Sequence, residues 1–129
     1  MLKAGVLGAG HLGKIHLRLL EQSEKYDLVG FYDTNQSQAT LIAEELGYQL
    51  FNSVEELINA VDVVDIVTPT FAHFEVATQA IKAGKHVFIE KPITNTVAEA
   101  SQLIELAKTH HVKGQVGHVE RFNPAYTSV

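Results

Sequence analysis

At 129 residues, with 46% hydrophobic and 19% charged side chains, the chain has the size and composition of one globular domain. The formal net charge is -5 with Lys and Arg scattered, which argues against a nucleic-acid partner, and the absence of cysteine excludes disulfides and thiolate chemistry. No apolar run reaches the roughly 20 residues of a membrane-spanning helix, and the N-terminus lacks a signal-peptide pattern. We therefore expect a cytoplasmic protein with no membrane partner.

Along the chain, the period of the apolar residues alternates between that of a strand and that of a helix. Strands are predicted at Leu2–Leu7, Leu28–Tyr32, Tyr48–Phe51, Val61–Val67, Lys85–Ile89 and Val112–Gly117. Helices are predicted between them, beginning near Leu12, Asn35, Ser53, Ala72 and Thr96, with Ser53 and Thr96 opening capping boxes. Because every connection is helical, the strands should run parallel. The predicted fold is α/β: a doubly wound parallel six-stranded Rossmann sheet with helices on both faces, over residues 1–118.

A glycine motif lies between the first predicted strand and the first predicted helix. Residues Gly8-Ala9-Gly10-His11-Leu12-Gly13 match G-x-G-x-x-G, in which Gly8 permits the tight turn, Gly10 the approach of a pyrophosphate and Gly13 close helix packing. The free N–H groups at the start of a helix favour such an anion. This pattern predicts a dinucleotide site with Gly8, Gly10, His11, Leu12 and Gly13 in contact with the cofactor. A glycine loop that only caps the helix is the alternative.

An acidic residue follows at the expected distance. Asp33 lies 20 residues after Gly13, at the end of the second predicted strand, where a carboxylate can accept hydrogen bonds from the adenosine ribose. A carboxylate repels the 2′-phosphate of NADP, and residues 34–36 carry no cation. The sequence therefore favours NAD over NADP, with a solvated aspartate as the alternative.

Four separate motifs resemble the Gfo/Idh/MocA oxidoreductases. They are the glycine loop, Thr68-Pro69-Thr70 with His73, Glu90-Lys91-Pro92, and the segment from Gly117 to Pro124. The last segment is most similar to the sugar-nucleotide branch, in particular the group of UDP-N-acetylglucosamine 3-dehydrogenases. The resemblance implies an NAD-dependent dehydrogenase that moves a hydride between a hydroxyl of a sugar or nucleotide sugar and nicotinamide. It also implies that residues 119–129 begin the passage to a substrate domain absent from this chain, so we expect the chain alone to be inactive.

The resemblance assigns further site residues. Lys91 is the predicted catalytic residue: the cationic nicotinamide would favour its neutral amine, which can take part in proton transfer from the substrate hydroxyl. The remaining predicted cofactor contacts are Thr68, Pro69, Thr70, His73, Glu90 at the nicotinamide ribose, Lys91 itself and Asn123. For His73 a structural role is the alternative, and Asn123 with Arg121 could instead cap a turn.

Other chemistries have less support in the sequence. The seven histidines do not fall at metal-ligand spacing, since His11 and His16 are five residues apart rather than four, so we expect no metal. The G-x-S-x-G elbow of serine hydrolases is absent. A domain that binds NAD as a sensor without catalysis is the alternative function, and homo-oligomerisation is left open.

Overall fold

The computed structural model describes residues 2–90 and 96–117, in which strands and helices alternate. The elements are β1 Leu2–Leu7, α1 His11–Gln22, β2 Tyr26–Tyr32, α2 Gln36–Leu46, α3 Val54–Ala60, β3 Val63–Ile66, α4 Thr70–Lys82, β4 His86–Glu90, α5 Val97–Thr109 and β5 Gly114–Gly117. Within this part of the chain, no helix is long and apolar enough to cross a membrane.

The described strands form one parallel sheet in the order β2-β1-β3-β4-β5. β2 lies on one side of β1, and β3, β4 and β5 follow in order on the other side. This reversal places a topological switch point between β1 and β3. Ligands of open α/β sheets bind outside the carboxyl ends of the strands at such a point.

Over residues 2–90 and 96–117 the sheet has five strands rather than the predicted six, so that prediction was wrong in one element. In the predicted third strand only Leu50 pairs, through an isolated parallel bridge to Phe31. Phe31 N donates to the Gln49 carbonyl at 2.9 Å and Phe51 N donates to the Phe31 carbonyl at 2.8 Å. The segment between the end of α2 at Leu46 and the Ser53 cap of α3 therefore contacts β2 through one bridge and two hydrogen bonds rather than as a full strand.

Helices cover both faces of the sheet, as predicted for a doubly wound fold. On one face α1 and α2 pack on β1 and β2, with a buried core of Ala4, Val6, Leu17, Leu20, Phe31, Ala39 and Ile42. On the other face α3, α4 and α5 enclose a second core that includes Leu7, Leu57, Val64, Ile66, Ile81, Ile89 and Leu103. The predicted caps also form, since the Ser53 and Thr96 hydroxyls accept from Glu56 N and Glu99 N at 3.1 Å each.

Candidate functional site

The turn after β1 requires glycine at two positions. Gly8 has φ +102°, and a Cβ there would lie 2.7 Å from the Val67 carbonyl oxygen. Its N–H donates to the Tyr32 carbonyl at 2.8 Å. Gly13 is buried against the Gly8 carbonyl, and a Cβ at Gly13 would collide with that oxygen. The first turn of α1 is therefore held directly against the end of β1, as the motif predicts.

Gly10 differs from both, because it faces open space. It is the exposed N-cap of α1, no side chain caps the helix there, and a Cβ would meet no atom within 4 Å. The backbone N–H groups of the first helical turn thus point to a region that another molecule can enter closely. His11 is exposed and Leu12 half-buried beside it. An anion is the ligand that this arrangement favours.

Asp33 ties the glycine loop to the end of β2. One oxygen, Oδ2, accepts a hydrogen bond from Ala9 N at 2.7 Å, and Oδ1 accepts from Asn35 N at 2.9 Å. Each carboxylate oxygen offers more than one acceptor direction, so both can still receive a hydroxyl donor. The carboxylate predicted to meet the ribose is therefore next to the glycine loop, where a dinucleotide would need it.

The segment after β3 joins the same edge of the sheet. His73 is 1% exposed, and its Nε2 lies 2.7 Å from the Thr68 carbonyl, a contact that fixes the loop and favours the structural alternative for this histidine. The Thr68 hydroxyl oxygen is buried and has no hydrogen-bond partner among the described residues. Pro69 is the exposed N-cap of α4, and Thr70 is the first residue of that helix.

A buried cluster that the sequence analysis missed lies under the site. His16 Nδ1 is 2.6 Å from Asp65 Oδ2, and His16 Nε2 is 3.1 Å from Glu90 Oε2. The three residues are 0%, 2% and 8% exposed. Burial alone would lower the pKa of His16, but the contacts with Asp65 and Glu90 outweigh it and raise the pKa above its ordinary value. Burial raises the pKa of Asp65, which the contact with His16 offsets only in part.

A sequence signal for this cluster did exist. Asp65 interrupts an otherwise apolar central strand, and a charged residue is almost never buried there without a partner. His16 lies three residues after Gly13 on the face of α1 that Leu17 and Leu20 also bury. Glu90, predicted to meet the nicotinamide ribose, is the last residue of β4 and turns its carboxylate toward His16. Lys91 and Asn123 lie outside the described residues.

The geometry is that of a dinucleotide-binding domain, in which a parallel sheet carries a glycine loop, an open helix N-terminus and an acidic residue after β2. The chain belongs to the Gfo/Idh/MocA family. The family model, described as an oxidoreductase family with an NAD-binding Rossmann fold, matches residues 2–118.

Similar proteins include sugar dehydrogenases. The chain is 42% identical over 128 residues to UDP-N-acetylglucosamine 3-dehydrogenase from Acidithiobacillus ferrooxidans, covering 96% of this chain and 39% of that enzyme. A solved structure of that enzyme superposes with a TM-score of 0.86, covering 98% of this chain and 41% of the other. Glucose-6-phosphate 3-dehydrogenase from Bacillus subtilis is 36% identical, over 99% of this chain and 35% of the enzyme.

A solved structure of a biliverdin reductase from Synechocystis, in complex with biliverdin and NADP+, is 26% identical with a TM-score of 0.85. The superposition covers 98% of this chain and 40% of the reductase chain. Both NAD and NADP+ therefore occur as bound cofactors among the similar structures. The chain spans about two fifths of the length of the relatives it matches.

Proposed function

We propose that this chain is the NAD-binding part of a dehydrogenase that transfers a hydride between a sugar hydroxyl and nicotinamide. The single observation that carries the proposal is Gly10, an uncapped helix N-terminus with open space where a side chain would stand. If residue 10 served only to cap α1, a residue with a side chain could stand there, because φ at this position is -70°. The approach of a ligand to the backbone accounts for it.

The residues present fit a dinucleotide. The N–H groups of the first turn of α1 would hold the pyrophosphate, and Asp33 would accept hydrogen bonds from the adenosine ribose. The buried Thr68 hydroxyl, which lacks a partner among the described residues, would gain one from the cofactor. Glu90, at the tip of β4, would face the second ribose. When bound, NAD supplies the oxidised nicotinamide ring that accepts the hydride.

Lys91 is the residue we propose for proton transfer. It directly follows Glu90, and its amine would take the proton of the sugar hydroxyl as that carbon loses its hydride. The hydroxyl becomes a carbonyl: its C–H bond would supply the hydride to nicotinamide, and its O–H bond would supply the proton to the amine.

A sugar nucleotide is the substrate class we favour, and NAD the cofactor. The two dehydrogenases named above are, by name, 3-dehydrogenases of a sugar derivative, and the more similar of the two is named for a UDP-sugar. For the cofactor, the Asp33 carboxylate beside the loop would repel a 2′-phosphate, while residues 34–36 offer no cation to receive one.

The Gly10→Ala variant tests the proposal. Because the added methyl meets no atom, it should lower the free energy of unfolding by at most about 1 kcal/mol, the cost of a poorer N-cap. It should nevertheless weaken NAD binding by about 10-fold or more, equivalent to roughly 1.4 kcal/mol, because the methyl occupies the path of the pyrophosphate. Isothermal calorimetry with NAD and urea unfolding measure the two effects.

The matched control is Gly114→Ala, at the opposite end of the sheet. Its Cβ would make an ordinary contact of 3.4 Å with the Val87 side chain, so both stability and NAD affinity should stay near those of the unsubstituted chain. NAD binding that is unaffected by Gly10→Ala, or absent from the unsubstituted chain, would reject the proposed site.

A further inference from the structure

Three separate elements bring a histidine and two carboxylates together beneath the proposed site. His16 comes from α1, one turn after the glycine loop, Asp65 from the middle of β3, and Glu90 from the end of β4. Alternation along β3 explains the placement of Asp65: Val64 and Ile66 belong to the core on the other face, so Asp65 points toward α1. The cluster therefore connects the element that carries the loop to the strand tip that carries Glu90.

The two contacts of His16 favour a proton at each nitrogen of its ring. At 2.6 Å a proton must lie between Nδ1 and Asp65 Oδ2, and at 3.1 Å Nε2 is within ion-pair distance of Glu90 Oε2, an attraction that a doubly protonated ring supplies. Two carboxylates and a doubly protonated ring carry a net charge of -1. The raised pKa of His16 agrees with this state.

The ring has little freedom to turn. Asp65 is 2% exposed in a central strand and holds Nδ1, while the Phe88 ring packs edge-on against the imidazole, with 6.2 Å between centroids and 64° between planes. Phe88 and Glu90 are two residues apart on β4 and so share the face that His16 contacts. With Nδ1 fixed, Nε2 is held in one place, 3.1 Å from Glu90 Oε2.

We propose that His16 is a positioning residue that holds the Glu90 carboxylate at the cofactor site, with Asp65 fixing the His16 ring. The inference rests on the proposed NAD site. In this arrangement Asp65 orients the imidazole, the imidazole holds one oxygen of Glu90, and the other oxygen is presented in a fixed place to a ribose hydroxyl. His16 touches neither cofactor nor substrate.

Two substitutions at His16 separate its contacts. The amide nitrogen of asparagine takes the place of Nδ1 and keeps a donor toward Asp65, whereas that of glutamine takes the place of Nε2 and keeps a donor toward Glu90. His16→Asn should weaken NAD binding by about 10-fold or more, and His16→Gln by less than about 3-fold. Calorimetric titration of the folded variants with NAD gives both numbers.

A double-mutant cycle tests whether His16 acts through Glu90. Glu90→Gln should itself weaken NAD binding, and adding His16→Asn to it should produce no further loss. Equal losses from His16→Asn with and without the Glu90 carboxylate would overturn the inference, because a residue that merely stabilises the fold would act in both backgrounds. Absence of NAD binding by the unsubstituted protein would instead reject the proposed function.

A spectroscopic measurement on the unsubstituted protein covers the case in which a variant does not fold. Nitrogen-15 spectra of the histidine rings should show His16 protonated at both nitrogens at neutral pH, and saturation with NAD should shift the Nε2 resonance more than that of Nδ1. A His16 ring that NAD leaves unchanged, while calorimetry shows NAD bound, would overturn the positioning role alone.

Discussion

The Asp33 carboxylate has two roles: it holds the glycine loop, and we propose that it binds the adenosine ribose. Its two oxygens accept from Ala9 N and Asn35 N, so the side chain fixes the glycine loop even without a ligand. Alanine at this position would remove both hydrogen bonds. A change in NAD affinity could then come either from a loosened glycine loop or from the lost ribose contact. Asparagine removes the charge but keeps an oxygen acceptor for one of the two N–H groups, so it disturbs the loop less than alanine does and is the sharper substitution.

We expect the unsubstituted chain to bind NAD at least about 10-fold more tightly than NADP, and Asp33→Asn to narrow that ratio, because the repulsion of the 2′-phosphate is lost. Titration with both dinucleotides measures the ratio. Asp27→Asn, an equal charge change at an exposed position at the other end of β2, should leave the ratio unchanged. Tighter binding of NADP by the unsubstituted chain would contradict the proposed cofactor.

The buried His16 predicts how stability depends on pH. The titratable groups that face its ring are Asp65 from β3 and Glu90 from β4, and they raise its pKa above 6.5 despite burial. The folded protein therefore keeps a proton that the unfolded chain has already released. The free energy of unfolding should fall as pH rises from about 6.5 through the folded pKa, by up to about 1.4 kcal/mol per pH unit.

Urea unfolding at a series of pH values checks this slope. Asp65→Asn removes the contact that most raises the pKa of His16, so the decline above pH 6.5 should flatten. His110→Asn removes an exposed histidine at the end of α5 and should leave the decline as it is. A slope that is the same in all three proteins would show that His16 does not hold the additional proton.

At the level of single residues, the sequence predicts what is encoded locally. The glycine loop and Asp33 are recognisable because the motif and its spacing lie within one β-α-β unit. The buried cluster is different, since His16 and Asp65 are 49 positions apart and meet only once α1 has packed across β3. No local pattern specifies that pairing, although an aspartate within a buried strand indicates that some partner must exist.

At the level of elements, periodicity predicted four of the five described strands nearly in full and β3 with both ends too long. The error concerned the edge of the sheet. A short apolar run such as Tyr48–Phe51 has the composition of a strand, but pairing depends on the neighbour, and β2 offers it one bridge. The register of β2 also shifts there: Ala4 pairs with Leu28 and Gly5 with Gly30, so Val29 is skipped.

Gly30 is the residue that lets this edge segment approach β2. A Cβ there would lie 2.5 Å from the Gln49 carbonyl oxygen and 2.8 Å from the Phe51 ring. We expect Gly30→Ala to push the segment away, break the two hydrogen bonds of Phe31, and lower the free energy of unfolding by about 1–3 kcal/mol.

Urea unfolding and amide hydrogen exchange measure the effect of Gly30→Ala, with faster exchange expected at the Phe31 and Phe51 amides. Gly114→Ala, another glycine-to-alanine change in a strand, should stay within about 0.5 kcal/mol. If Gly30→Ala left both stability and exchange unchanged, the close approach of the edge segment would not be what requires glycine here.

At the level of the whole molecule, the described residues belong to a single nucleotide-binding sheet. The predicted cofactor contacts that the structure describes lie at the carboxyl ends of β1 to β4, on one edge of that sheet. The relatives are about two and a half times as long as the part this chain matches. We infer that the sugar contacts of such enzymes come largely from the part of their chains that this chain does not match.

The last prediction follows from this separation of the cofactor contacts from the sugar contacts. Hydride transfer requires cofactor and sugar to be held at near-attack distance, a positioning worth roughly 7–11 kcal/mol in favourable cases. Among the described residues, only the cofactor side of such a site is built. We therefore expect the 129-residue chain to bind one NAD per chain by calorimetry, yet to form no NADH with UDP-N-acetylglucosamine or glucose 6-phosphate when absorbance at the NADH band is followed. The Acidithiobacillus ferrooxidans enzyme, assayed with its UDP-sugar, is the positive control. Steady NADH formation by the chain alone would show that its own residues hold the sugar as well as the cofactor.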